Sequence, residues 1–383
     1  MSITEITKVT KVKLSLREKL DFFPAVASIV IAYIYALLTG LRRTERQAKT
    51  LSLHLGYAVF RKATARLTTI QMQYILPPSH KIYEKHSKKT GRFPESVELG
   101  DGALGHWVGD RNADNVLVWF HGVYTTKKEP PVPIQLDTNY HLGGGFGLPA
   151  NMGYFKFYTQ LLRDLKASGK SVAVFSLTYT LAPIAVYPTQ LRQAVNCLRY
   201  VLSQPNRDPS TVFLGGDSAG GNLVGGVLSH LAHPHAEIDT LPLHSNLGGA
   251  VMIAPWTLLE KDFPGIEVYH GGDIITTAVA EPWSAAYIGA GKRDYYTDLS
   301  TAPADWFTTF PVNSVLITAG GNEIMLPLIQ DFAAKFKEGF GNVELFVGHR
   351  ECHVAPIYHL ELGNATKTEQ GKKVEAVLAE LMV

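Results

Sequence analysis

Ser218 stands in Gly216-Asp217-Ser218-Ala219-Gly220, a G-x-S-x-G pattern. A serine hydroxyl is a weak nucleophile until a base takes its proton, and the base works best when a carboxylate orients it. Two later stretches offer such partners. His353 lies in the run from Gly348 to Pro356 (GHRECHVAP), with His349 and His359 as rivals. Glu323 lies in Gly320-Gly321-Asn322-Glu323, with Asp331 eight residues on as its rival. A serine, an imidazole and a carboxylate brought together perform acyl transfer: attack on a carbonyl, an acyl-enzyme, then hydrolysis. Each residue also has an ordinary reading: Ser218 as part of a glycine-rich turn, Glu323 as a carboxylate near a helix start.

These residues need a frame that brings them together. Asn115–Gly122, Ser171–Tyr179, Thr211–Gly216, Gly249–Pro255, Ser314–Gly320 and Val343–Val347 are short apolar runs of strand type. Between or after them, Gly153–Ala167, Pro188–Leu202, Ala219–Ala232, Met325–Lys337 and Thr368–Met382 have helical apolar spacing. Apolar strands alternating with helices predict an α/β fold with a mostly parallel sheet covered on both faces. Ser218 then falls on the sharp turn between a strand and a helix, where Gly216 and Gly220 let the two approach closely. Glu323 is the first carboxylate after the next-to-last strand, and His353 follows the last. The chain order serine, acid, histidine is the one this architecture uses. Residues 257–310 are rich in Trp, Tyr, Pro and Gly and have no clean period, which predicts a cap over the site. Residues 44–90 are helical and are expected to join that cap.

Composition excludes other classes. The 383 residues are 46% apolar and 18% charged, with a formal net charge of +2. That is too apolar and too weakly charged for general disorder, and it offers no basic field for nucleic acid. Two cysteines, Cys197 and Cys352, cannot form a disulfide scaffold or a four-thiolate zinc site, and are expected as buried thiols. No metal or organic cofactor is implied. The oligomeric state is not encoded in any pattern.

Phe22 to Leu41 is a run of 20 residues with no charge, the length of a membrane-crossing helix. A membrane anchor is the expectation, single-pass and in the endoplasmic reticulum, with a buried or interfacial helix and a cleaved signal as alternatives. Lys8, Lys11, Lys13, Arg17 and Lys19 precede it, and Arg42, Arg43, Arg46 and Lys49 follow, so the charge rule does not choose an orientation. Tyr33 and Tyr35 sit at its centre instead of at its ends.

Several segments resemble the hormone-sensitive-lipase-like branch of the α/β-hydrolases. They are Gly216–Asn222 (GDSAGGN), Tyr179–Pro183 (YTLAP) with Tyr187-Pro188 beyond, and Ala254-Pro255-Trp256. The resemblance covers roughly residues 90–383. With its N-terminal apolar segment, the whole chain is similar to fungal steryl acetyl hydrolases and arylacetamide deacetylases. The resemblance implies an α/β-hydrolase with a helical cap, a serine esterase, lipase or deacetylase acting on apolar esters such as acetylated sterols, and an oxyanion hole on an H-G-G-G loop. Plant gibberellin receptors resemble the same family and bind without hydrolysing, so a binding protein is the second class to hold in view.

His121-Gly122 begin the H-G-G-G loop, and then the pattern breaks. The 21 residues 123–143 intervene before Gly144-Gly145-Phe146. Without them the segment reads FHGGGFGLPANMGYF, the full family motif. The oxyanion donors implied by the resemblance are therefore the N–H groups of Gly144, Gly145 and Ala219. The insert is proline-rich and polar, in frame, and of intron size for a fungus. Its residues permit a GT start within Gly122-Val123-Tyr124 (G|GTGTAT), a branch-like ACTAAC at Thr138-Asn139 and an AG end at Leu142-Gly143 (TTAG|G). It is read as a retained intron, in which case the chain as written is an interrupted product; the alternative is a genuine loop in which residues 141–145 form a substitute turn.

Overall fold

The computed structural model describes residues 13–122, 145–260, 262, 263, 265 and 271–383. The segment 123–143 and Gly144 therefore lie outside the described residues. Eight strands form one sheet: β1 (Glu95–Glu98), β2 (Leu104–Val108), β3 (Asn115–Phe120), β4 (Val172–Thr178), β5 (Val212–Asp217), β6 (Gly249–Ile253), β7 (Val315–Gly320) and β8 (Val343–Gly348). Their order is β1-β2-β4-β3-β5-β6-β7-β8. β1 and β2 are antiparallel to their neighbours, and every pairing from β4 to β8 is parallel. β3, β5, β6 and β7 are buried along their whole length, as apolar strands covered on both faces must be.

The helices are α1 (Leu16–Thr39), α2 (Leu51–Arg66), α3 (Thr69–Ile75), α4 (Ser79–Lys89), α5 (Met152–Ala167), α6 (Thr189–Leu202), α7 (Ala219–Ala232), α8 (Ala280–Ile288), α9 (Leu326–Phe340), α10 (Ala355–Glu361) and α11 (Glu369–Leu381). α6 and α7 pack on each other and on the sheet, and α5 and α11 do the same. The cause is visible in α5. Asn151 caps it by accepting the Gly153 N–H, and Tyr154, Phe155, Tyr158, Leu161 and Leu165 form its buried stripe. Burying each such side chain stabilises the fold by about 1.5–3 kcal/mol. Both cysteines are buried and free.

Parallel strands place their C-terminal ends on one edge, and the chain leaves that edge at three points that matter. β5 ends on Asp217, just before Ser218; β7 ends on Gly320, three residues before Glu323; β8 ends on Gly348, five before His353. β3 ends there too, leading into His121-Gly122.

Between β6 and β7 the chain forms α8 and short single turns, with residues 261, 264 and 266–270 outside the described set. α2 and α3 border the same edge.

Candidate active site

Ser218 is the residue before α7 and has φ 51° and ψ −117°, a region that costs about 1–3 kcal/mol for a non-glycine residue. Its surroundings hold it there. Its N–H donates to the Ile253 carbonyl at 2.9 Å, and its carbonyl accepts the N–H groups of Trp256 and Asn222 at 3.0 Å each. The elbow also needs glycine on both sides. A Cβ on Gly216 would lie 2.3 Å from the Gly220 carbonyl oxygen, and one on Gly220 would lie 1.8 Å from that of Phe120.

The three candidate residues form one hydrogen-bonded chain. His353 Nε2 lies 2.9 Å from Ser218 Oγ, and His353 Nδ1 lies 3.2 Å from Glu323 Oε1. Glu323 Oε2 accepts the Gly320 N–H at 2.5 Å. Both His353 and Glu323 are buried. Burial alone would lower the His353 imidazole. The hydrogen bond and charge of Glu323, with Asp273 and Asp217 behind it, raise it above its usual value instead.

The rivals lie elsewhere. His349 is exposed, with its ring near Glu45. His359 is buried on α10 and bonded to the Tyr57 hydroxyl at 2.6 Å. Asp331 is exposed on α9.

Asp217 is a structural anchor under the elbow. Its Oδ1 accepts from Trp119 Nε1 at 3.1 Å; its Oδ2 accepts from the Tyr154 hydroxyl at 2.6 Å and from the Gly122 N–H at 3.2 Å. Burial pushes its carboxyl up to about 6 despite these three donors. Gly122 is thereby pinned beside Ser218: a Cβ there would stand 3.1 Å from Ser218 Cβ. The His121 ring is buried and stacks on Tyr179 at 5.1 Å, and burial drives its imidazole well below the usual value. It is a neutral packing element.

Of the three expected oxyanion donors, two are described. Ala219 is the first residue of α7, where an N–H has no intrahelical acceptor, and the positive end of the helix faces Ser218. Gly145 is buried, has φ +55° and lines the same cavity as Ser218. Gly144 lies outside the described residues.

Asp273 carries no motif, and sequence reasoning passed over it. It sits in the irregular stretch between β6 and α8, and nothing in its pattern marks it. In the structure its Oδ1 accepts the backbone N–H of His353 at 2.8 Å and its own neighbour's, Ile274, at 2.7 Å. Its Oδ2 accepts the Ile324 N–H at 2.9 Å. One carboxylate thus holds the histidine loop and the Glu323 loop together. Burial, opposed by the charge of His353 and reinforced by that of Glu323, pushes it up to about 6.

A pocket opens on Ser218 and His353, with about 400 Å³ of empty space once its solvent-open mouth is included. Its apolar lining is Phe60 from α2, Leu148, Ile274, Ile275, Trp283 from α8 and Val354. α2 lies within the helical segment 44–90, and its Phe60 and Thr64 reach this lining.

A strained serine between a parallel strand and a helix, with a histidine and a carboxylate from later loops of the same sheet edge, is the geometry of an α/β-hydrolase fold. Residues 139–357, more than half of the chain, match the alpha/beta hydrolase fold family, and the chain belongs to it. An esterase of Gibberella moniliformis is 26% identical over 197 residues, covering 50% of this chain and 57% of that protein. Neutral cholesterol ester hydrolase 1 of Mus musculus is 31% identical over 121 residues, covering 30% of this chain and 28% of its own. The matched segments thus span less than two thirds of either relative. Among solved structures, an esterase from the bacterial hormone-sensitive lipase family superposes with a TM-score of 0.61 at 21% identity, covering 87% of this chain and 98% of that one.

Proposed function

We propose that the chain is a serine carboxylic-ester hydrolase that works through an acyl-enzyme on apolar esters. The observation that carries the reading is the continuous contact from Ser218 Oγ through His353 to Glu323. His353 Nε2 takes the Ser218 proton as Oγ attacks the ester carbonyl, and Glu323 stabilises the imidazolium at Nδ1. The oxyanion is received by the N–H groups of Ala219 and Gly145, with Gly144 as the third donor the family resemblance implies. His353 then gives its proton to the departing alkoxide. Water, deprotonated in turn by His353, cleaves the acyl-serine and restores the hydroxyl.

The apolar cavity supports an apolar acyl or alcohol group, and the cholesterol ester hydrolase among the relatives supports a sterol-like ester, with acetate as the acyl group suggested by the family resemblance. Membrane association through α1 would place the cavity near such lipid-soluble esters. The test is Ser218→Ala on p-nitrophenyl acetate. The expected loss is about a thousandfold or more, with unchanged circular dichroism. Activity within tenfold of the parent removes the assignment.

A further inference from the structure

α1 passes every compositional test for a membrane-crossing helix, spanning 27 residues with its terminal turn. Its contacts point to another placement. Asp21, near its start, pairs with Arg66 at the end of α2 at 2.5–2.7 Å. Gly40, just past its end, packs on Leu51 and His54 at the start of α2; a Cβ there would lie 2.7 Å from Leu51. α1 and α2 are therefore antiparallel neighbours along the length of α2. Gln71 on α3 adds a bond to the Glu18 carbonyl at 3.0 Å.

α2 in turn is fastened to the hydrolase body. Tyr57 bonds His359, Arg61 donates to the carbonyls of Asp273 and Gly271, and Gly56 lies against Leu362. If α1 crossed a bilayer, its Asp21 end would lie about 30 Å from its Gly40 end, across the hydrocarbon. Arg66 and α2 would have to cross with it, and α2 carries His54, Arg61, Lys62 and Arg66.

The outer surface of α1 says what covers it. Leu16, Leu20, Phe23, Ile31, Leu38 and Leu41 are its most exposed apolar residues on one side. At 3.6 residues per turn, Leu20 and Leu38 are five turns apart and in line, with Ile31 beside that line. The opposite face is taken by protein: Ala25, Phe22 and Ile29 pack with Ala63, Leu67, Met72 and Leu148. Basic residues occur at both ends, Lys13, Arg17 and Lys19 at one and Arg42, Arg43 and Arg46 at the other. This symmetry, which defeats the orientation rule for a crossing helix, suits a helix whose two ends meet the same anionic headgroup layer. Tyr33 and Tyr35, misplaced at the centre of a crossing helix, suit one lying at the interface.

We propose that α1 does not cross the bilayer but lies in the plane of one leaflet, with the Leu20–Ile31–Leu38 ridge in the lipid and the hydrolase body on the same side as both helix ends. Leu148 belongs both to the seat of α1 and to the lining of the cavity at Ser218. The cavity thus stands against the leaflet and takes its ester from it; this last step rests on the ester-hydrolase reading, whereas the placement of α1 does not.

The full chain, tagged at both ends in sealed microsomes, is treated with protease from outside. Both tags share one fate if the helix lies in the plane; one protected and one digested overturns the proposal. The purified chain is next mixed with phosphatidylcholine–phosphatidylserine vesicles. Fluorophores on Leu20→Cys and Leu38→Cys are quenched by shallow spin labels to the same depth in a lying helix, the two native thiols being buried. A depth difference of about 20 Å or more overturns it. The triple change Leu20→Glu, Ile31→Glu and Leu38→Glu is expected to lower vesicle binding at least tenfold. Turnover of an ester dissolved in the vesicles falls in step, while turnover of p-nitrophenyl acetate stays within twofold. Unchanged vesicle binding, or a loss of self-association in its place, overturns the lipid assignment. If neither the parent chain nor the chain lacking 123–143 hydrolyses either ester, the function of Ser218 is removed, yet the tag and depth measurements still decide where α1 lies.

Discussion

The carboxylate of Asp273 accepts the backbone N–H of His353 at 2.8 Å, while its other oxygen accepts the N–H of Ile324, the residue after Glu323. The stretch between β6 and α8 therefore ties together the two loops whose side chains meet above Ser218. Asp273 touches no reacting atom; it is a positioning residue. Asp273→Asn replaces one acceptor oxygen with an amide that faces a donor, leaving a buried N–H without its partner, at a cost of about 1–3 kcal/mol. The expected result is a lower urea midpoint and a kcat reduced about tenfold or more with little change in KM. The acid limb of the rate profile also moves down, because Asp273 helps to hold His353 above its usual value. An unchanged limb reduces Asp273 to a purely structural tie.

The carboxylate that orients His353 is separable from its rival by charge-neutral substitution. Glu323→Gln removes the anion at Nδ1 and is expected to lower kcat by about a hundred- to ten-thousandfold. Asp331→Asn, on the exposed side of α9, is expected to stay within twofold. Steady-state rates on a soluble ester check both, and the reverse ranking exchanges the roles.

The pH dependence follows from the same contact. As the proposed base His353 acts when neutral, and its folded value is raised above 6.5. Activity is therefore lost as pH falls through that raised value, and the acid limb of kcat/KM has its midpoint above 6.5. Stability runs the other way: the protonated imidazole gains from Glu323, a contribution fully present below 6.5 and lost as pH rises through the folded value. In Glu323→Gln the limb moves below its parental position. A midpoint well under 6.5 in the parent contradicts the arrangement.

Gly145 gives a test of the oxyanion loop within the described residues. Its φ is +55°, and a Cβ there would lie 2.9 Å from the Trp256 ring and 3.3 Å from Trp283 Cβ. Gly145→Ala is strained by about 1–2 kcal/mol and presses on the tryptophans that wall the site. A drop in kcat of about tenfold or more, with KM changed less, is expected from displacing a donor to the transition state.

How far these features could be read in advance depended on what kind of signal carried them. The five parallel strands from β3 to β7 are buried on both faces, so their sequences are continuous apolar runs with sharp ends, and the Val343–Val347 run of β8 is legible too although that strand is only partly buried. The Ser218 turn has a spacing imposed by backbone contact at Gly216 and Gly220. β1 and β2 left no such trace: both are short and antiparallel, and β1, at the edge, is only half-buried. Asp273 was hidden because its work is done by side-chain acceptance of backbone N–H groups more than 50 residues away, which leaves no local pattern. The seat of α1 was hidden for a related reason. Its protein-facing residues, such as Ala25 and Ile29, are as apolar as its outward ones, so composition alone cannot tell a docked face from a lipid face.

Residues 123–143 lie outside the described residues. The match to the alpha/beta hydrolase fold family begins at residue 139, although His121-Gly122 of the expected H-G-G-G loop stand before it. We propose that the interruption is translated intron. Gly122 cannot serve as an oxyanion donor in place of Gly144 or Gly145, since its N–H is bonded to Asp217 and to the Tyr154 hydroxyl. Joining Gly122 directly to Gly144 restores the order in which the first glycine anchors the loop and the next two point their N–H groups at the substrate. The chain lacking 123–143 is expected to hydrolyse p-nitrophenyl acetate about a hundredfold or more faster than the full chain, the size of effect attached to an oxyanion donor. Transcript reads are expected to join Gly122 to Gly144. Equal rates for the two chains, with reads running evenly through the segment, would make it a genuine loop of the working enzyme.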